Sequence, residues 1–229
     1  MPLIAPALVS ADVARLGEAL EVIRAAGARM IHIDVADGHF VPDLTVGQPV
    51  IASLRRATNL ELDVHLLVER PERYVTDFVN AGADRVSVHA EATPQLHHAL
   101  ELIRKAGGKT GVALNPATSV GSIGGVLSDL DFLTILCADL AGERGLREQA
   151  FIPGSVSKIE TAAEIRESRH LSFAVKAEGA VGLDNIGTLI HAGADILVAG
   201  SAIFHDGSPK SRLSEMVRLA AETRGRQSI

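Results

Sequence analysis

Eight short apolar runs, separated by longer stretches with helical periodicity, constrain the fold more than any other feature of this sequence. The candidate strands are Leu3–Leu8, Met30–Asp34, Glu61–Leu66, Arg85–His89, Thr110–Leu114, Asp131–Leu136, Ser172–Lys176 and Asp195–Ala199. Between them, stretches such as Ala14–Ala25 and Glu72–Ala81 space apolar residues so that a helix gains one buried face. Strands that alternate with helices form a parallel sheet, because a parallel pair needs a crossover long enough to hold a helix. Eight such units in 229 residues predict an α/β fold closed into a (β/α)₈ TIM barrel, one domain over residues 1–229.

An internal echo sets the phase of the repeat. Ala26-Gly27-Ala28, Ala81-Gly82-Ala83 and Ala192-Gly193-Ala194 each fall between a helical pattern and a strand, where glycine suits the left-handed residue that ends a helix. The charged stretch Asp139–Gln149 is the candidate mobile loop after strand six, and the tail Thr223–Ile229 is expected to fray. With 47% hydrophobic and 22% charged residues, the chain can bury a core without staples. A net charge of -6, no Lys/Arg cluster, no Trp and a single Tyr (Tyr74) argue against a nucleic-acid partner. Cys137 stands alone, which excludes an intrachain disulfide and fits a reducing, cytoplasmic setting. No run approaches the roughly 20 apolar residues of a membrane helix, and the first dozen residues lack the basic start of a signal peptide.

In a barrel of this kind, chemistry collects at the carboxyl ends of the strands. Strand two ends in His32-Ile33-Asp34, so His32 and Asp34 leave one face while Ile33 points to the helices. Strand three ends in Asp63-Val64-His65, strand four in His89-Ala90-Glu91, and strand seven in Lys176-Ala177-Glu178-Gly179. His32, Asp34, His65 and Glu178 thus supply two imidazoles and two carboxylates, a donor set suited to one divalent metal ion: Zn, Mn, Fe or Co. The competing reading makes them hydrogen-bonded interior groups or salt bridges. His97, His98, His170 and His191 read as surface residues, with His39 and His205 undecided near the mouth. Gly200-Ser201 follows strand eight, where small-residue turns hold phosphate in many barrels, and Gly179-Ala180 after strand seven is the natural second wall. Tight packing is the alternative for both turns.

These residues lie in stretches that resemble the ribulose-phosphate 3-epimerase family from Ile4 to Phe204. The resemblance rests on Ile4-Ala5-Pro6, Ser10-Ala11-Asp12, the run from His32 to Pro42, Asp63-Val64-His65-Leu66, the run from Gly111 to Thr118 and Val198-Ala199-Gly200-Ser201-Ala202-Ile203-Phe204. It implies a barrel of the ribulose-phosphate-binding type and a metal held by His32, Asp34, His65 and Glu178. It implies too that Asp34 takes a proton on one face of a ketose phosphate and Glu178 returns one on the other, through an enediolate. The substrate-contacting set is then His65, Gly179, Ala180, Gly200 and Ser201. The implied partner is a small-molecule sugar phosphate, and the family's habit suggests a homo-oligomer, dimer or hexamer.

The departures from the family pattern cluster at the site. The family has Asp at the Glu178 position, and one extra methylene moves a carboxyl by about 1.5 Å. Its Glu one strand-step earlier is Lys176, which shares a face with Glu178 and can pair with it instead of leaving it to a metal. Its strand-one Ser is Ala7, its three site methionines match Ala36, Leu67 and Leu136, and its Asn after Val-Pro is Asp43. A Gly-rich phosphate loop is replaced by Asp139–Gln149, in which Arg144 or Arg147 either grips an anion or is simply solvated. Two further classes stay open: a related barrel isomerase or decarboxylase, and a non-catalytic sugar-phosphate binder. Related decarboxylases carry Asp-x-Lys-x-x-Asp at strand three, whereas this chain has Asp63-Val64-His65-Leu66-Leu67-Val68.

Overall fold

The computed structural model describes residues 1–142, 145–147, 149–205 and 207–227. Its strands are β1 (Leu3–Pro6), β2 (Met30–Ala36), β3 (Glu61–Leu67), β4 (Arg85–His89), β5 (Lys109–Leu114), β6 (Phe132–Leu136), β7 (Ala174–Glu178) and β8 (Ile196–Ala199). Every pairing is parallel, in the ring order β1-β8-β7-β6-β5-β4-β3-β2. The bridge Ala7↔His32 brings the end of β1 to β2.

The helices are α1 (Leu16–Ala25), α2 (Gln48–Ala57), α3 (Val75–Asn80), α4 (Leu96–Lys105), α5 (Ser155–Ser168), α6 (Ile186–His191), α7 (Ser201–Phe204) and α8 (Pro209–Gln227). Outward strand residues such as Ile31, Ile33, Val64, Leu66, Val86 and Val112 join Leu20, Ile23, Leu100 and Ile103 of the helices in one apolar layer. Burial on both faces makes the strands read as near-continuous apolar runs, interrupted only where a polar side chain points inward. The predicted helix stops hold: Gly27, Gly82 and Gly193 all adopt positive φ.

The repeat is broken once. Between β5 and β6 the described chain forms only 3-10 turns, Val120–Ile123 and Leu127–Asp129. Gly121, Gly124 and Gly125 in that short span disfavour an α-helix. Helices α1 and α3 likewise start later than their apolar spacing suggests, each after a 3-10 turn. Through Gln227 the tail corrects the expectation of fraying, because α8 continues past Thr223; Ser228 and Ile229 lie outside the described residues. Leu213, Met216, Ala220 and Thr223 recur on one buried face, and the Thr223 hydroxyl donates to Leu219 O. No helix among the described residues is long and apolar enough to cross a membrane.

Candidate active site

Strand register assembles the site. His32 pairs with Asp63 and Asp34 with His65 across β2 and β3, while β7 brings Glu178 beside Leu136 and Val198. All four predicted ligands are buried, and one donor atom from each lies within 4.8 Å of the other three. His65 Nδ1 is 2.6 Å from Glu178 Oε1 and 3.5 Å from Asp34 Oδ1. His32 Nε2 is 3.2 Å from Asp34 Oδ1 and 3.4 Å from Glu178 Oε2. The extra methylene of Glu178 therefore does not carry its carboxyl away from the imidazoles.

The electrostatics are those of a centre built for positive charge. Burial disfavours an imidazolium at His32, but the carboxylates of Glu178 and Asp34 outweigh it and hold the ring well above its ordinary value. His65 is raised for the same reasons. Burial likewise pushes both carboxyls up, yet the imidazoles keep Asp34 below and Glu178 well below the ordinary range. Imidazoles and carboxylates thus favour each other's charged forms, and a divalent cation would supply positive charge at the same point. Nitrogen and oxygen donors of this kind suit the later transition metals, and Glu178 Oε2 is buried with no hydrogen bond among the described residues. The donor set fits the expected ion.

Beneath this centre lies a layer whose roles the sequence did not disclose. Lys176, whose pairing with Glu178 the sequence left open, donates to Asp63 Oδ2 at 2.7 Å and makes a longer ion pair with Glu178 Oε2 at 3.9 Å. The shorter contacts of Glu178 are those with His65 and His32. The same Asp63 oxygen accepts from His32 Nδ1 at 2.8 Å, which turns Nε2 of that ring toward the centre. Burial opposes charge on Asp63, but Lys176 and His32 hold its carboxyl far below the ordinary range. Phe132 closes the floor, with Arg85 and Lys176 4.3 and 4.7 Å from its ring centre. Beside the centre, His89 stacks on His65 at 4.9 Å and meets Phe40 at 4.7 Å. Burial pushes the His89 imidazole down, so it packs as a neutral ring that donates from Nδ1 to Glu91. Paired polar residues at strand ends were the available signal for Asp63 and His89; His89 meets Glu91 at its own strand end, but the partners of Asp63 come from β2 and β7.

The predicted phosphate walls, Gly179, Ala180, Gly200 and Ser201, line one cavity with Asp34 and Glu178. Gly179 and Ala180 both have positive φ, 102° and 50°, and Asn185 pins this turn by donating to Ala180 O and accepting from Gly182 N. Ser10, which the sequence reading did not single out, abuts Gly200. Arg147 and Gln149 of the loop after β6 line the same cavity, whereas Arg144 lies outside the described residues. His39, His97, His98, His170, His191 and His205 are all exposed and stand apart from the four-residue group.

A ring of eight parallel strands carrying two imidazoles and two carboxylates at its carboxyl end defines an α/β-barrel protein with a candidate metal centre. The chain belongs to the ribulose-phosphate 3 epimerase family, whose model matches residues 3–204; these are isomerase-class enzymes. It is 40% identical over 214 residues to a ribulose-phosphate 3-epimerase of Bacillus subtilis, covering 93% of this chain and 97% of that one. A ribulose-phosphate 3-epimerase of Escherichia coli is 39% identical over 215 residues, covering 93% and 94%. Among solved structures, KGPDC from Streptococcus mutans superposes with a TM-score of 0.71 at 16% identity, covering 97% of this chain and 99% of that one. The 3-hexulose-6-phosphate synthase of Salmonella typhimurium gives 0.67 at 16% identity, covering 97% and 100%. At such identities these two speak for the fold alone.

Proposed function

We propose that this chain inverts C3 of a pentulose phosphate, interconverting D-ribulose 5-phosphate and D-xylulose 5-phosphate. The observation that carries the reading is the convergence of Asp34 from β2 and Glu178 from β7 on one buried pair of imidazoles at the catalytic end of the barrel. Inversion beside a ketone needs a base on one face of the carbon and an acid on the other. Asp34 removes the C3 proton on its side, leaving an enediolate, and Glu178, which must first take up a proton that the His65 imidazole 2.6 Å away can pass to it, delivers that proton from the other. The two groups finish with their protonation states exchanged, so either epimer can be processed. His32, Asp34, His65 and Glu178 would hold the divalent ion, Zn, Mn, Fe or Co, which when bound supplies a Lewis acid that polarises the ketone. The turn at Gly179-Ala180 and the pair Gly200-Ser201 receive the phosphate, and burial of the centre keeps water from competing for the proton.

The test is turnover of D-ribulose 5-phosphate by protein loaded with Mn²⁺ or Zn²⁺, beside Asp34→Asn and Glu178→Gln. Wild type forms D-xylulose 5-phosphate, and each substitution lowers kcat/KM by about 10²–10⁴. Release of CO₂, formation of an aldose phosphate, or full activity in either variant contradicts the reading.

A further inference from the structure

Several of the residues that depart from the family pattern meet in one place. Ala36, Leu67 and Leu136, which stand at the family's methionine positions, form an apolar nest with Val41, and Leu140 and Leu146 of the loop after β6 fill it. Both leucines are buried, at 4% and 6% exposure. Asp43, which replaces the family's Asn, accepts from Leu146 N at 3.2 Å. Smaller or branched side chains in the barrel mouth, a new carboxylate and the altered loop are thus parts of one rearrangement: the nest makes room, the loop enters it, and the carboxylate fastens its backbone.

That rearrangement fixes the flanks of Arg147. On one side Leu146 is held in the nest. On the other, Gln149 donates from Nε2 to Leu146 O at 3.1 Å, closing a short turn around Arg147. Gln149 Oε1 also lies 3.3 Å from where a β-carbon on Gly179 would stand, so the turn rests against the first phosphate wall. Arg147 lines the cavity shared by Asp34, Glu178, Gly179, Ala180, Gly200 and Ser201, and among the described lining residues it alone has a cationic side chain. A dianionic ligand entering a cavity with two carboxylates on its floor needs opposite charge at its far end, and a guanidinium binds phosphate oxygens through two parallel hydrogen bonds.

We infer that Arg147 is a substrate-binding residue that grips the phosphate of the ketose phosphate, placed by the nest of Ala36, Leu67 and Leu136. This rests on the sugar-phosphate reading above, so binding and turnover are measured separately. Wild type, Arg147→Lys and Arg147→Met are titrated calorimetrically with inorganic phosphate and assayed with D-ribulose 5-phosphate and with unphosphorylated D-ribulose. Arg147→Met raises the phosphate Kd and the KM for the phosphorylated sugar by about 10- to 100-fold, with kcat reduced less than about threefold. Arg147→Lys falls between, and kcat/KM for D-ribulose does not change. Ala36→Met, which refills the nest, raises the same two constants and adds nothing to Arg147→Met in the double variant. An Arg147→Met protein that binds inorganic phosphate as tightly as wild type overturns the inference. A wild type that turns over no ketose phosphate overturns the reaction instead, and a raised phosphate Kd in Arg147→Met would then still support the grip.

Discussion

Asp63 takes two hydrogen bonds on a single oxygen, from His32 Nδ1 and from Lys176 Nζ, in a setting with no exposure. A carboxylate behind a metal-facing histidine fixes which ring nitrogen is free and makes it more basic. Asp63→Asn keeps the shape but loses the charge that holds both cations, so metal affinity measured by chelator competition falls about 10- to 100-fold while the fold persists; unchanged affinity would remove Asp63 from this role. Glu91 makes a separate, pH-dependent contribution. Burial works against its charge, but hydrogen bonds from His89, Thr118 and Asn115 N hold its carboxyl down at about 2 against an ordinary 4.5. A depressed carboxyl stabilises the fold fully above its ordinary value and loses that stabilisation as pH falls through its folded value. Glu91→Gln is therefore less stable than wild type by about 1–2 kcal/mol near pH 7, allowing for solvent screening, and the gap closes between pH 4.5 and 2. Urea unfolding across that range reads the difference directly, and a gap independent of pH would contradict the assignment. At this scale the buried cluster of His32, Asp34, His65 and Glu178 was legible because all four fall at the carboxyl ends of strands, where alternation sends them inward. The Lys176–Asp63 bond was not, because Lys176 reaches across the barrel to a residue 113 positions away.

The elements repeat the same division between local pattern and distant contact. All eight strands were legible, since short buried runs bounded by helix stops leave little else for the chain to form. Three strands run one or two residues further toward the site than their sequence bounds, ending at Ala36, Leu67 and Glu178. The helix expected between β5 and β6 was lost to glycines, a local signal outweighed by the assumption of regular repeats. Strand β5 carries a further dependence: Gly111 lies against Phe132 of β6 so closely that a β-carbon would overlap the ring. Phe132 is fully buried and bears the cations of Arg85 and Lys176 on its face, so it has no room to retreat. Gly111→Ala should cost about 1–3 kcal/mol and lower Tm by roughly 3–10 °C. A thermal melt within a degree of wild type would show that the floor of the barrel yields more readily than its packing implies.

Across the whole molecule, closing the sheet into a ring turns residues scattered between positions 32 and 178 into one centre. That closure made the site legible from sequence, because only the inward residues at the carboxyl ends of a closed ring can meet. The packing of Leu140 and Leu146 into the barrel mouth was not legible, because a charged loop carries no periodicity and its anchors lie on three other parts of the chain. The proposed reaction rests on two carboxyls moving a proton at one carbon. The most direct test is proton NMR of D-ribulose 5-phosphate incubated in D₂O with the metal-loaded protein. The account predicts that D-xylulose 5-phosphate appears with deuterium at C3, that the remaining ribulose acquires C3 deuterium as equilibrium is approached, and that Asp34→Asn suppresses both. A metal-loaded protein that leaves C3 protonated, or that labels C1 instead, would contradict it.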